Sequence, residues 1–142
     1  MPVRTATAAW EGSLQEGHGT ISVESGRLEA PYSFGSRFES EAGTDPEELL
    51  GAAAAGCFTM ALSLALSELG HPPTRIDTTA RVGIEKTADG FRIPRIELRT
   101  EAAVDGIDDE TFHREAEKAK VGCPVSQALA ATEIQLVARL VA

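Results

Sequence analysis

The sequence predicts an α+β fold in which antiparallel sheets surround one long buried central helix. Residues 76–84 and 134–141 alternate apolar with polar residues, which is typical of half-buried strands. Residues 46–69 form a long apolar segment with clear helix start and stop signals. The order of strands, helix, hairpin, two helices and final strand indicates mostly antiparallel pairing. At 142 residues, the chain has the length of one domain, residues 1–142.

The N-terminal segment predicts a small antiparallel sheet followed by a loop. Residues 3–10 and 19–25 are short β-branched runs separated by a Gly-containing turn, and residues 27–34 are a candidate third strand. Arg37 lies in the polar, Gly-containing stretch that follows these strands. We therefore expect Arg37 on a loop that leads into the central helix.

The central helix has marked ends. Asp45 is a suitable N-cap, Pro46 suits the first helical position, where no N–H is needed, and Glu48 completes a capping-box-like pattern. Gly70 tolerates a positive φ, and the two prolines that follow it cannot continue an α-helix. The pattern therefore predicts a helix over residues 46–69.

Residues 49–66 carry no charge and have apolar or small side chains on every face, which predicts a helix buried on all sides. The same run reaches the lower length limit of a transmembrane span. Its Ala- and Gly-rich first half and its acidic flanks favour a soluble core helix instead. Close approach of another helix, from the same chain or a second subunit, is allowed by four small residues, Gly51, Ala52, Ala55 and Gly56.

The second half of the chain predicts a hairpin, two helices and a last strand. Residues 76–84 alternate apolar with polar side chains and predict the first strand of the hairpin, and residues 91–104 predict the second strand. A bulge or a sheet edge is expected at Pro94, where the alternation of apolar and polar residues is shifted. An exposed helix over residues 108–120 ends near Gly122. A short helix over residues 125–131 and a strand over residues 134–141 complete the chain.

The composition excludes some classes of partner. A net charge of −9 and a pI near 4.8 argue against nucleic acid and anionic membrane surfaces, which need a cationic footprint. Residues 1–10 show no signal-peptide pattern, so we expect a cytoplasmic location, where a structural disulfide is unusual. His18, His71 and His113 show no Cys/His ligand spacing, so no metal site is predicted.

Two cysteines are the candidate reactive groups, and they lie 66 positions apart without a CxxC motif. Cys57, in mid-helix, is either a packing residue or a thiol that needs a nearby cation, for which Arg37 is the best-placed candidate. Cys123 lies at the predicted start of a short helix, where it either caps and packs or is favoured as a thiolate by the helix dipole. Glu47 can equally be a plain acidic residue at a helix N-terminus. Spacing alone leaves the function open.

Three segments carry a resemblance to a known family. They are PEELLGAAAAGCFTMALSLAL, KAKVGCPVSQAL and YSFGSRFE, and with the early AxWEG and GxG they resemble the OsmC/Ohr family of peroxide-reducing proteins. The likeness is strongest to the osmotically inducible OsmC branch and covers essentially the whole chain in order.

The resemblance implies a cysteine-based hydroperoxide reductase with Cys57 as the peroxidatic and Cys123 as the resolving residue. It matches Arg37 and Glu47 to the Arg and Glu of the family. It also implies an intertwined homodimer of α+β subunits, organic hydroperoxides as substrates and a lipoylated protein or another dithiol as reductant. No metal or organic cofactor is implied. The alternative is a non-enzymatic thiol redox sensor or small-ligand-binding protein on the same fold.

Helix geometry adds one expectation about Glu47. It lies ten residues before Cys57, which separates their backbones by roughly 15 Å along one helix and turns them by about 80°. We therefore expect an antiparallel pair of central helices in a homodimer, with Glu47 of one chain near Cys57 of the other. The resemblance also implies that Cys57 is the thiol with the lower pKa.

Overall fold

The structure, a computed structural model, describes residues 1–141. The chain divides into two compact units, the first being Met1–Leu49 and the second beginning at Leu50. That the whole chain folds as one domain stays a prediction.

The first unit contains the predicted N-terminal sheet. Its strands are β1 (Ala6–Glu11), β2 (His18–Val23) and β3 (Glu29–Tyr32), paired antiparallel in the order β1-β2-β3. The rings of Trp10 and Tyr32 meet edge to face, with centroids 5.2 Å apart. Gly19 lies between these rings, and a Cβ at this position would be only 2.6 Å from Tyr32 and 2.7 Å from Trp10. Close packing of the two aromatic residues therefore requires a glycine.

The predicted loop around Arg37 is wrong, because the chain forms a short helix there, α1 (Phe34–Phe38). Ser33 and Ser36 build a reciprocal capping box: the Ser33 hydroxyl accepts the Ser36 N–H at 3.1 Å, and the Ser36 hydroxyl accepts the Ser33 N–H at 2.8 Å. The Ser36 hydroxyl also donates to the carbonyl of Thr44 at 2.8 Å. The local signal for α1 is this capping box of two serines, which lies in a polar stretch with the composition of a loop.

The central helix, α2 (Pro46–Glu68), has the predicted bounds within one residue. Asp45 Oδ1 accepts the N–H of Glu48 at 2.8 Å, as expected of an N-cap. At the other end, Gly70 adopts a φ of +85°, which is the conformation predicted for the residue that ends the helix.

Burial of α2 on every face was predicted and is wrong for the described chain. Ala54, Phe58, Leu62 and Leu66 are buried at a spacing of four residues, whereas Met60 and Leu64 remain 76% and 61% exposed. The helix is long and apolar enough to cross a bilayer by length and composition alone, a property that core helices of soluble proteins share. Only one face of α2 is therefore covered within this chain.

The second unit packs α2 on a three-stranded sheet. Its elements, in chain order, are β4 (Arg75–Val82), β5 (Glu85–Thr87), β6 (Gly90–Arg92), β7 (Arg95–Ala103), α3 (Asp109–Gly122), α4 (Pro124–Ala128) and β8 (Glu133–Val141). The sheet order is β4-β7-β8, with β4 antiparallel and β8 parallel to β7.

The predicted hairpin is divided in two. Strands β4 and β7 pair antiparallel as expected, but β5 and β6 form a separate two-stranded ribbon. Pro94 lies between β6 and β7, where its missing N–H breaks the pairing, and this accounts for the phase shift in the sequence.

The predicted helices and last strand are confirmed with small changes. Helix α3 is capped by Asp108, which accepts the Thr111 N–H at 2.7 Å, and it buries Phe112, Ala116 and Ala119. Helix α4 ends three residues earlier than predicted. The close approach predicted for Gly51 occurs against the sheet, because a Cβ there would lie 3.2 Å from Val82, whereas Gly56 faces open space.

A chain of threonine hydroxyls joins α2 to the sheet inside the second unit. Thr59 Oγ1 lies 2.7 Å from both the Ala55 carbonyl and Thr78 Oγ1. Thr78 Oγ1 lies 2.9 Å from Thr100 Oγ1, which in turn lies 3.2 Å from the Asp77 carbonyl. Because the hydroxyls come from α2, β4 and β7, they set the position of the helix along the strands.

Candidate functional site

Arg37 and Glu47 form an ion pair within the first unit. Arg37 Nη2 donates to Glu47 Oε1 at 2.7 Å, and Arg37 Nε lies 3.2 Å from both carboxylate oxygens. Arg37 is the basic residue of the last turn of α1, and Glu47 lies in the first turn of α2. The structure thus brings together the two residues that the resemblance matched to the Arg and Glu of the family. This forked contact orients the guanidinium plane.

Glu47 is ionised because of its partner. Its side chain is almost completely buried, and burial by itself raises the pKa of a carboxyl group. The hydrogen bonds and charge of Arg37 outweigh burial, so the pKa of Glu47 lies below its usual range. The pair therefore combines a fixed negative charge with a guanidinium whose outer edge remains partly open to solvent.

The second unit brings Cys57 and Cys123 together. Both are free thiols, Cys57 half-buried on α2 and Cys123 fully buried at the start of α4, with Pro124 in the first helical position. Their side chains are hydrogen-bonded to each other, although they are 66 positions apart in the sequence. This contact is what a peroxidatic and a resolving cysteine require before a disulfide can form.

The pKa order of the two thiols is the reverse of the predicted one. Burial, and then the hydrogen bond and charge of Cys123, raise the pKa of Cys57, while the Val125 N–H opposes them. Burial also opposes ionisation of Cys123, but the neighbouring Cys57 and Ser126 lower the pKa of Cys123 below its usual value. The positive end of α4 favours the thiolate of Cys123, as its place in the sequence predicted.

Two polar neighbours of these groups were missed. Asp45 was predicted only as an N-cap, but burial and then the neighbouring Glu47 also raise the pKa of its carboxyl group. Ser126 was not singled out, although its position three residues after Cys123 places it in the first turn of α4. The sequence does contain a signal for both neighbours, because the residue that caps a helix lies close to the residues two or three positions later. Within residues 1–141, no group of three or more His, Cys, Asp or Glu side chains is arranged to hold a metal ion.

Comparison with known proteins identifies the family. A family model described as OsmC-like protein matches residues 38–137. The chain belongs to the OsmC-like family. It is 58% identical over 125 residues to a protein named Peroxiredoxin OsmC from Escherichia coli (strain K12), with 87% of each chain covered. A protein of the same name from Shigella flexneri matches equally well. The resemblance seen in the sequence is thereby confirmed.

Solved structures of OsmC-like proteins share the fold. An organic hydroperoxide resistance protein from Elizabethkingia anophelis superposes with a TM-score of 0.76 at 25% identity, covering 99% of both chains. An OsmC-like protein from Mycoplasma pneumoniae gives a TM-score of 0.77 at 16% identity, also over 99% of both chains. The predicted α+β class is confirmed by these similarities.

Proposed function

We propose that this OsmC-like protein is a thiol peroxidase that reduces organic hydroperoxides to alcohols. The observation that carries the proposal is the hydrogen-bonded pair of free thiols, Cys57 and Cys123. The 58% identical relative named as a peroxiredoxin supports the same reaction class, and the structural neighbour named for organic hydroperoxide resistance supports the substrate class. A dithiol or a lipoylated protein is the proposed reductant, and the cytoplasm is the proposed location.

The first step oxidises Cys57. Its thiolate attacks the distal oxygen of the hydroperoxide, so that an S–O bond forms as the O–O bond breaks. The alkoxide takes up a proton and leaves as the alcohol, and Cys57 remains as a sulfenic acid. The proton of Cys57 must first leave to solvent, because burial and the neighbouring Cys123 raise the pKa of Cys57.

The second step forms the disulfide. The Cys123 thiolate attacks the Cys57 sulfenic sulfur, the S–O bond breaks, and the departing hydroxide is protonated to water. Ser126, which lowers the pKa of Cys123, favours the nucleophilic thiolate of this residue. An external dithiol then supplies two electrons and two protons, becomes a disulfide itself and restores both thiols.

Arg37 and Glu47 have an electrostatic role in this proposal. A guanidinium stabilises both a thiolate and the negative charge that develops on the peroxide oxygens. Glu47 holds that guanidinium in one orientation through the forked contact. No metal or organic cofactor takes part in these steps.

We further propose that the protein is a homodimer with two composite sites. The exposed Met60 and Leu64 on α2, together with Val121 on α3, leave apolar surface that a second copy can cover. Burying a side chain of this kind contributes about 1.5–3 kcal/mol. Since Glu47 and Cys57 are ten residues apart on α2, an antiparallel pairing of two α2 helices brings Glu47 of one chain toward Cys57 of its partner.

One assay tests the proposed reaction. The purified protein is mixed with an alkyl hydroperoxide and a small dithiol, and consumption of the hydroperoxide is followed for the wild type, Cys57→Ser, Cys123→Ser and, as a control at an exposed position of β4, Thr79→Val. We expect turnover in the wild type and the control, none in Cys57→Ser, and a single oxidation in Cys123→Ser. Full activity of Cys57→Ser would refute the assignment. Oxidation without turnover would favour a redox sensor.

A further inference from the structure

A pocket in the second unit lies where the β5–β6 ribbon leaves the three-stranded sheet. Its walls come from the segment between β4 and β5 and from the segment between β6 and β7, and its volume is about 330 Å³. Pockets of this size hold small organic molecules in other proteins. None of the lining residues is Cys57, Cys123, Arg37 or Glu47, so the proposed peroxide chemistry leaves the pocket unexplained.

Two arginines line this pocket on the solvent-exposed face of the sheet. Arg81 on β4 is the register partner of Glu97 on β7, and Arg95 lies two residues before Glu97, so the three side chains share one face. Arg81 Nη1 is 3.7 Å from Glu97 Oε1, beyond hydrogen-bond distance, whereas Arg99 Nε donates to the same oxygen at 2.7 Å. The guanidinium of Arg95 makes no hydrogen bond or ion pair within residues 1–141.

Both guanidinium groups of the pocket therefore have donors free for a ligand. A guanidinium stays charged in proteins, and its planar fork of N–H donors matches the two oxygens of a carboxylate. The whole chain carries a net charge of −9, so a cavity with two arginines that lack hydrogen-bonded carboxylates is not a simple consequence of composition. This arrangement attracts an anion.

The charges around the pocket favour a ligand with a single negative charge. Glu97 is balanced by Arg99, so Arg81 and Arg95 remain against Glu85, the other carboxylate of the wall. One positive charge is left over after this balance. It suits a single carboxylate and disfavours a doubly charged phosphate, which Glu85 would repel.

The other walls of the pocket are apolar and leave room for a carbon chain. Val82, Ile84 and Pro94 line the cavity. One further step of the β4–β7 register would place Gly83 opposite Arg95, and a Cβ at Gly83 would meet no atom within 4 Å. A short apolar chain can therefore lie along the wall while its carboxylate reaches the two guanidinium groups.

We propose that this pocket binds a small organic monocarboxylate, whose carboxylate is held by Arg81 and Arg95 and whose apolar chain contacts the wall around Gly83. The binding does not depend on the proposed peroxidase function. The probe is hexanoate, added to reduced ¹⁵N-labelled protein while the backbone amide resonances are followed. We expect the resonances of residues 81–85 and 95–97 to shift, with a Kd on the order of 1 mM for a site open to solvent.

Three variants locate the binding. Arg95→Gln removes one guanidinium from an exposed position and should weaken hexanoate binding about tenfold. Gly83→Leu keeps both arginines but fills the cavity, so binding should be lost; Gly83 has no positive φ and faces open space, so this variant is expected to fold. Arg75→Gln is the matched control, because it removes the same charge from the same face of β4 at an arginine already paired with Asp77 at 2.7 Å. It should bind hexanoate like the wild type.

Two further probes test the class of ligand. Hexanamide has the same chain without the charge and should bind about tenfold more weakly. Inorganic phosphate in mildly alkaline buffer should leave the same resonances unshifted at the concentration that half-saturates with hexanoate. Hexanamide that binds as tightly as hexanoate, or phosphate that binds more tightly, would overturn the assigned ligand class. Unchanged affinity in Arg95→Gln and Gly83→Leu would place hexanoate elsewhere and refute the site, as would a wild type whose resonances do not shift.

Discussion

The threonine chain between α2 and the sheet leads to a quantitative prediction about stability. Thr78 is its middle member, and its hydroxyl lies 2.7 Å from that of Thr59 and 2.9 Å from that of Thr100. Thr78→Val keeps the shape of the side chain but removes both contacts. At about 0.5–1.5 kcal/mol for each hydrogen bond, we expect the free energy of unfolding to fall by about 1–3 kcal/mol.

A variant in which all three threonines are replaced by valine tests whether the loss of stability comes from hydroxyl groups left without a partner. When all three threonines become valine, no hydroxyl is left without a partner in a region where Thr100 is only 2% exposed. Replacing every partner by an apolar group of the same shape is nearly neutral, so the triple variant should be more stable than Thr78→Val alone. Strong non-additivity of this kind is expected only among residues in contact.

Urea denaturation of the reduced protein measures these differences. The control is Thr79→Val, which changes an exposed threonine on the other face of β4 and should alter the free energy of unfolding by less than about 0.5 kcal/mol. If Thr78→Val costs no more than Thr79→Val, or if three single substitutions simply add, the hydroxyl chain does not hold α2 on the sheet. The same variants report on function, because α2 carries Cys57.

Three further predictions concern the thiols, a histidine and the exposed face of α2. Cys123→Ala should lower the pKa of Cys57, because it removes the neighbouring thiol that raises this pKa. The pH dependence of Cys57 alkylation measures the change, and an unchanged pKa would contradict the proximity of the two thiols. Hydrogen bonds from the His113 ring to the Asp109 carbonyl at 2.8 Å and the Ala138 carbonyl at 2.9 Å raise the pKa of His113. The contribution of His113 to stability is therefore fully present below its unfolded pKa of about 6.5, and it is lost as the pH rises through the folded pKa. His113→Gln should remove that part of the pH dependence in urea titrations, and an unaltered pH profile would argue against the contact. Met60→Asp should convert the proposed homodimer to monomer in light scattering, while a monomeric wild type would refute the dimer itself.

The sequence predicted the elements of this fold well where local signals agree. The cap at Asp45, the proline after it and Gly70 defined α2 within one residue, because these residues act through their own backbone conformation. Strand β8 and helix α3 were recognised from periodicity, which depends only on neighbouring residues. The short helix at Arg37 was missed, since two serines that cap each other look like loop residues in composition.

For the candidate site, too, the sequence predicted which residues take part, and only the structure showed their contacts. Family resemblance selected Cys57, Cys123, Arg37 and Glu47 from their sequence segments. The structure then supplied the forked contact of Arg37 with Glu47 and the hydrogen bond between the two thiols. No periodicity relates cysteines 66 positions apart, so only the packing of α2 against the start of α4 could bring them together.

What the sequence by itself determined is the chemistry available to this protein: two thiols, a guanidinium and a carboxylate in segments typical of the OsmC-like family. The tertiary structure decided which groups share protons. It placed Cys123 beside donors that lower its pKa and Cys57 where burial raises it, which reversed the predicted order. Protonation depends on distances and burial between side chains, and these are properties of the folded chain that residue types and spacing do not contain.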